Sequence, residues 1–269
     1  MWRAAFYLIV FIVSQVVAAA LAMVVVDVSG GTVTAAALES AENAVPVGVS
    51  ILVVEGLLSL AVVWWMRAGR RLRLFAFLRG TEREMAGNGC SAADYVCAVA
   101  GVLALAYAFS QVSDMLSLPD GGTDALFEAM CHDPLCLLLI CVVGPLTEEL
   151  IFRAGVVRCL FLRGLPGWLA AVVAAAAFGV VHGNLAQAVP AFGIGVALGL
   201  LYLRSGDLRL CLPAHMANNT LGVITLWVPS FADVESSWVA AAVSFLLGVV
   251  LLWRVLRAGG TLLYRVKTK

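Results

Sequence analysis

Charged side chains are scarce in this sequence. Only 13% of the 269 residues are charged, against about 25% in an average soluble domain. The 17 basic residues balance the 17 acidic ones, so the formal net charge is zero. This composition argues against a soluble enzyme, a disordered chain and a nucleic-acid-binding protein, since the last of these usually carries a basic excess.

Paired cysteine motifs are also missing. The chain has seven cysteines, an odd number, and none forms a CxxC pair, which argues against a zinc knuckle or a disulfide scaffold. Most of them are interpreted as small apolar residues of a helix bundle. Cys131 and Cys136 lie near a predicted outer surface, and the sequence leaves open whether they pair.

Long apolar runs dominate instead, with 62% of the residues hydrophobic. Runs of about 20 apolar residues indicate membrane-spanning helices. The first run could be read as a signal peptide, but an apolar length of ~23 residues favours a retained helix. We therefore predict an all-α, polytopic membrane helix bundle of about eight transmembrane helices. The predicted spans are 4–26, 47–66, 93–116, 134–162, 167–182, 188–203, 208–228 and 238–256.

Charge placement supports this span count. With eight spans, every Lys and Arg falls on, or leads toward, one side of the membrane, and the positive-inside rule predicts both termini in the cytoplasm. The Arg-rich loop at 67–83 is expected to lie on anionic lipid rather than bind nucleic acid. The predicted outer loops carry only acidic charges, namely Glu39, Glu42, Asp120, Asp124, Glu128, Asp133, Asp233 and Glu235.

Two adjacent glutamates interrupt the fourth predicted span. Glu148 and Glu149 point about 100° apart on a helix, and Glu149 lies one turn before Arg153, with which it can pair. Glu148 lacks that partner, so an unpaired carboxylate in an apolar segment is predicted there. Such a group suits general-base chemistry near neutral pH. Glu55 in the second span is the other embedded acid, and a packing role for it is equally compatible with the sequence.

Two of the three histidines also lie in or at the edge of apolar spans. His182 follows Phe178 by one helical turn, and His215 lies one turn before Asn219, so the latter pair can reach one point. Ionisable groups inside membrane spans indicate function by default. We therefore predict that Glu148, both histidines and Asn219 share one site.

These three motifs resemble those of the CAAX-protease and bacteriocin-processing (Abi) membrane endopeptidases. The family pattern is EExxxR, FxxxH and HxxxN in that order, and the similarity covers roughly residues 134–225. The chain would then be one membrane domain in three parts. Residues 1–130 would form N-terminal helices, 131–228 the catalytic core, and 229–269 the last helix with a basic tail.

The resemblance implies roles for the site residues. Glu148 and His182 would activate a water molecule, His215 and Asn219 would stabilise the oxyanion, and Glu149 and Arg153 would support the site. The substrate would be a membrane-associated protein or peptide, lipidated or not, in a bacterial inner membrane. Members of the family have been described as metalloproteases. We favour a mechanism without a cofactor, with zinc on Glu148, His182 and His215 as the alternative.

Two other functions are compatible with the sequence. A non-catalytic membrane protein with this scaffold could act in bacteriocin self-immunity or bind a partner. A transporter could use both glutamates and the histidine pair as a proton relay, although no pair of broken helices repeats between the two halves.

Overall fold

The computed structural model describes residues 2–28, 89–121, 123–206, 208–228 and 235–258, together with a few helical residues between 48 and 61. The predicted second span falls largely outside these residues. So do Glu55, the basic loop at 67–83 and the basic tail after residue 258. The predictions made for those segments therefore stay predictions.

Eight helices make up the described part of the chain, and no strand occurs in it. They agree with seven of the eight predicted spans to within three residues at either end. The remaining helix, Thr123–Met130, is short and lies between the predicted spans 93–116 and 134–162. In chain order the helices are α1 (Trp2–Val28), α2 (Ala92–Met115), α3 (Thr123–Met130), α4 (Pro134–Phe161), α5 (Gly167–Val180), α6 (Leu185–Ser205), α7 (Cys211–Trp227) and α8 (Trp238–Ala258).

The prediction of an all-α membrane helix bundle is confirmed. By length and hydropathy, α2, α4, α6 and α8 can each cross a membrane. Shorter apolar helical segments occupy 4–18 and 167–180. The described residues thus contain four helices that meet the length and hydropathy needed for a crossing, fewer than the eight spans predicted from the whole sequence.

Local sequence signals set several helix ends. Ser91 and Asp94 form a capping box at the start of α2, with each side chain accepting the other residue's backbone N–H. Asn184 caps α6 by accepting the N–H of Gln187. The same helix ends at Gly206, whose φ of 75° is a left-handed conformation that glycine adopts without strain.

Charges gather at one end of the bundle, as the sequence predicts. The end of α6, the end of α8 and the start of α2 meet there, because Arg204 and Arg254 both approach the Asp94 carboxylate, at 3.9 and 3.8 Å. At the other end, Ser236 donates to Asp114 at 3.1 Å. We call the first of these the basic end. It carries Arg163, Arg204, Arg209, Arg254 and Arg257 among the described residues.

Gly195 and Gly199 form a GxxxG pattern on α6. An added Cβ at Gly195 would lie 3.0 Å from the Ala175 side chain, and one at Gly199 would lie 2.9 Å from Ala171. The two glycines therefore allow the α5 and α6 backbones to approach closely. This contact brings the FxxxH helix and the helix that follows it into one layer.

All seven cysteines are free. Cys131 and Cys136 are both buried, so the pairing that the sequence left open is absent from this structure. Burial raises the pKa of the Cys131 thiol to about 11. Cys131 is thus a protonated, unreactive thiol at neutral pH.

Candidate active site

The helix that carries the two glutamates is not a regular α-helix. In α4, π-helical segments at Leu139–Val143 and Glu149–Val157 flank an α-helical turn at Gly144–Glu148. In the first segment the Gly144 N–H bonds to the Leu139 carbonyl, five residues back. The next N–H in that ladder would belong to Pro145, which has none. π-Helical bulges of this kind occur frequently at functional sites.

The missing N–H of Pro145 leaves the Ile140 carbonyl for a partner outside the helix. The side-chain amide of Asn219 on α7 donates to that carbonyl at 3.0 Å. Asn218 in turn donates to the Asn219 side-chain oxygen at 3.3 Å. The proline thus creates the acceptor that holds Asn219 beside the glutamates.

We expect Asn219→Asp to destabilise the folded protein by about 1–3 kcal/mol, because a carboxylate cannot donate to the Ile140 carbonyl. The same change at Asn218, which bonds only to the neighbouring amide, is expected to cost less. Chemical unfolding in detergent micelles measures both values.

The same Asn219 substitution made in a Pro145→Ala protein tests whether the proline is the reason that Asn219 is needed. Pro145→Ala restores an N–H that can bond to Ile140, so the cost of Asn219→Asp should fall by about half in that background. An equal cost in both backgrounds would contradict the role assigned to Pro145.

Glu149 and Arg153 form the predicted ion pair one turn apart on α4. The Arg153 Nη1 lies 3.0 Å from Oε1 of Glu149, and both side chains are at most 1% exposed. Arg153 also donates to the Gly195 carbonyl on α6 at 3.4 Å, and its guanidinium lies 4.7 Å from the centre of the Phe178 ring. The pair therefore joins α4 to α5 and α6.

His215 lies between the two glutamates. Its Nδ1 is 2.8 Å from Oε1 of Glu149, and its Nε2 is 3.4 Å from Oε2 of Glu148. The prediction that Glu148 is unpaired is therefore wrong. The two glutamate side chains diverge as expected on a helix, but the imidazole has a nitrogen on each side and meets both.

His215 lies level with the two glutamates, although residue counting predicts a shallower position. Counted from the basic end, Glu148 and His182 would both lie about 22 Å into the bundle, whereas His215 would lie only ~10 Å in. The contacts of His215 with both glutamates nevertheless place the three side chains together. Ser205, Leu208 and Leu210, which precede α7, are buried.

Phe178 organises the two histidines. Its ring makes edge-on contacts with His182 and His215, at centroid distances of 4.8 and 5.8 Å. Nδ1 of His182 lies 2.7 Å from the Phe178 carbonyl. A carbonyl can only accept, so Nδ1 carries the proton and Nε2 of neutral His182 is left as an acceptor.

All four residues predicted to be catalytic line one cavity of about 200 Å³. The Glu148 side chain is 20% exposed while that of Glu149 is 0% exposed, so Glu148 is the glutamate that faces the cavity. The remaining walls of the cavity come mainly from α6. The lining residues are Glu148, Phe178, His182, Gln187, Pro190, Ala191, Ile194, His215, Asn218 and Asn219.

Three neighbours of the site were missed from the sequence. Gln187 and Asn218 line the cavity, and the Cys211 thiol donates a hydrogen bond to Glu149. Both polar residues could have been suspected, because Gln187 lies five residues after His182 and Asn218 lies inside the HxxxN motif. Cys211 carries no signal that separates it from the other buried cysteines.

The predicted zinc ligands are Glu148, His182 and His215. Among the residues that the structure describes, no three His, Cys, Asp or Glu side chains converge as metal ligands. Both ring nitrogens of His215 already face carboxylate oxygens. His182, at the other side of the cavity, has only Nε2 available for a ligand. The choice between a metal-free site and zinc on Glu148, His182 and His215 therefore stays a prediction.

Comparison with known proteins agrees with the motifs. Residues 131–221 match the family described as "Type II CAAX prenyl endopeptidase Rce1-like". The Bacillus subtilis (strain 168) protein named "Putative membrane peptidase YdiL" is 28% identical over 103 residues. That match covers 38% of this chain and 42% of the relative. No solved structure matches the chain.

Proposed function

Because residues 131–221 resemble the CAAX prenyl endopeptidase family, we propose that this chain is an intramembrane endopeptidase. It would hydrolyse a peptide bond of a membrane-associated protein or peptide. The observation that carries the proposal is the single cavity lined by Glu148, His182, His215 and Asn219. These side chains come from α4, from the turn that follows α5 and from α7, and they have the residue types that amide hydrolysis requires.

Glu148 is assigned as the general base. It is the glutamate that faces the cavity, and His182 offers an acceptor nitrogen to the same space. A water molecule held between them would lose a proton to Glu148 as its oxygen bonds to the carbonyl carbon. The proton would then pass to the amide nitrogen as the C–N bond breaks, releasing an acid and an amine and restoring Glu148.

His215 and Asn219 are assigned to the oxyanion of the tetrahedral intermediate. Nδ1 of His215 faces Glu149, while Nε2 faces Glu148 and the cavity. An N–H on Nε2 and the side-chain amide of Asn219 are donors that would stabilise the developing negative charge.

Glu149 acts through His215 in this scheme. It accepts from Nδ1 and is itself fixed by Arg153. The pair thus aims Nε2 at the cavity, as the orienting carboxylate does in other histidine-based catalytic sites. Glu149 and Arg153 are positioning residues and do not touch the reacting atoms.

We propose a metal-free reaction. Enzyme purified through a chelator is expected to retain at least about half of its activity, with substoichiometric zinc by elemental analysis. Added zinc should not raise the rate, since His215 is already engaged by carboxylates. Stoichiometric zinc whose removal abolishes cleavage, and whose return restores it, would overturn this part of the proposal.

The function itself is tested in cells. Comparative proteomics of peptide N- and C-termini in cells expressing wild type or Glu148→Gln should reveal membrane-proximal cleavages that the variant lacks. The host would be a bacterium whose inner membrane holds the protein with both termini in the cytoplasm. A phenotype that persists in stably expressed Glu148→Gln would instead favour a non-catalytic role such as self-immunity.

A further inference from the structure

A second cavity lies on the opposite face of α6 from the active site. It has a volume of about 420 Å³ and is lined by aliphatic and aromatic side chains of α2, α5, α6 and α8. The side chains that face the catalytic cavity from α6 are Gln187, Pro190, Ala191 and Ile194. None of them lines this second cavity, which we call the apolar groove. Its aromatic lining residues are Phe109, Trp168, Phe192, Phe245 and Trp253.

The length of the groove matches one membrane leaflet. Along α8 its lining runs from Phe245 to Leu256, a rise of about 16 Å at ~1.5 Å per residue. The hydrocarbon core of a bilayer is about 30 Å thick, so one leaflet provides roughly half of that. The edge-on ring pair Phe109 and Phe245, with centroids 6.1 Å apart, lies at the far end.

The other end of the groove lies at the basic end of the bundle. Trp168 opens α5 there and Trp253 lies in the last turns of α8, and both indoles are exposed. Exposed tryptophans are typical of the membrane–water interface. The Arg257 guanidinium lies 4.7 Å from the centre of the Trp253 ring. A cation thus stands directly beside the opening of the apolar groove.

We propose that the apolar groove binds one anionic phospholipid. An acyl chain of the leaflet on the basic side would occupy the groove, and the phosphate would lie against Arg257. The groove is about as long as one leaflet is thick, which favours an acyl chain as its occupant. The cation at the opening favours a negatively charged headgroup. This site is separate from the catalytic cavity, so it stands or falls independently of the peptidase proposal.

Native mass spectrometry of the full chain tests this, after extraction from bilayers of equal phosphatidylglycerol and phosphatidylcholine with sixteen-carbon chains. The variant Val249→Trp is expected to fill the groove, because Val249 lines the groove and 43% of its surface is exposed, which leaves space for a larger side chain. The matched control is Val250→Trp, one residue on, which is exposed and lies outside the groove lining. We expect Val249→Trp to reduce retained phosphatidylglycerol at least fivefold and Val250→Trp to change it less than twofold.

Arg257→Gln separates the headgroup from the chain. Arg257 is exposed, so its replacement is not expected to disturb folding. It should lower the ratio of phosphatidylglycerol to phosphatidylcholine at least threefold while the total lipid retained stays similar. Equal retention in the two Trp variants would overturn the proposal. So would a wild type without headgroup preference, or a dimer mass that only Val249→Trp abolishes, which would assign the groove to a second copy.

Discussion

Glu148→Gln is expected to lower the rate of peptide-bond hydrolysis by about 10²–10⁴-fold, the usual contribution of a positioned general base. Glutamine keeps the size of the side chain and can still contact His215, but it cannot accept the proton of the attacking water. The measurement is single-turnover cleavage of a substrate peptide by purified protein in detergent or nanodiscs.

Glu148→Gln should lower the rate of the chemical step without lowering the stability of the protein much. Glu148 is partly exposed to the cavity, so its neutralisation removes little buried charge and the melting temperature should shift by only a few degrees. Glu128→Gln is the matched control, because Glu128 is exposed on α3 and away from the cavity. If Glu148→Gln retained more than a tenth of the wild-type rate while Glu128→Gln retained all of it, the base would have to be another group.

Arg153→Met is expected to give the largest loss of stability, about 3–5 kcal/mol in the free energy of unfolding. The change leaves Glu149 fully buried and without its cation. Arg254→Met is the matched control, since Arg254 is 52% exposed and its carboxylate partner, Asp94, is 3.8 Å away. Asp94 is buried but keeps Arg204 at 3.9 Å when Arg254 is replaced, so the loss of the exposed cation should cost only about 0–1 kcal/mol. Urea or detergent unfolding followed by circular dichroism measures both.

A double variant distinguishes loss of the charge balance from loss of packing. Glu149→Gln combined with Arg153→Met removes both charges, while the glutamine oxygen can still accept from Nδ1 of His215. We expect this double variant to recover at least half of the stability lost in Arg153→Met. If the double variant is no more stable than Arg153→Met alone, packing of the guanidinium against Phe178 carries the effect.

Hydropathy predicted the helices accurately because the membrane constraint acts on each segment separately. A run that must cross ~30 Å of hydrocarbon needs apolar residues throughout, whatever its neighbours are. The predicted run 134–162 and the observed helix Pro134–Phe161 differ by one residue. The Glu149–Arg153 pair was predictable for the same reason, since a one-turn spacing fixes the contact within a single helix.

Contacts between helices were harder to anticipate. Nothing in the HxxxN motif indicates that His215 lies between two adjacent glutamates, because that depends on how α7 packs against α4. The π-helical segments of α4 could not be predicted either. Pro145 signals a broken hydrogen-bond ladder, but only the folded chain shows that Asn219 takes the freed carbonyl.

The sequence by itself determined the class of the protein, the positions of seven of its eight described helices and four of the residues that line the cavity. These follow from local rules, namely the cost of burying charge and the 3.6-residue period of a helix. Tertiary structure decided how far Glu148 is exposed to the cavity and that Glu149 is fully buried. It also decided that one histidine serves both carboxylates and that the far face of α6 opens into an apolar groove. Those features depend on the relative depth and rotation of separate helices, which packing between them determines.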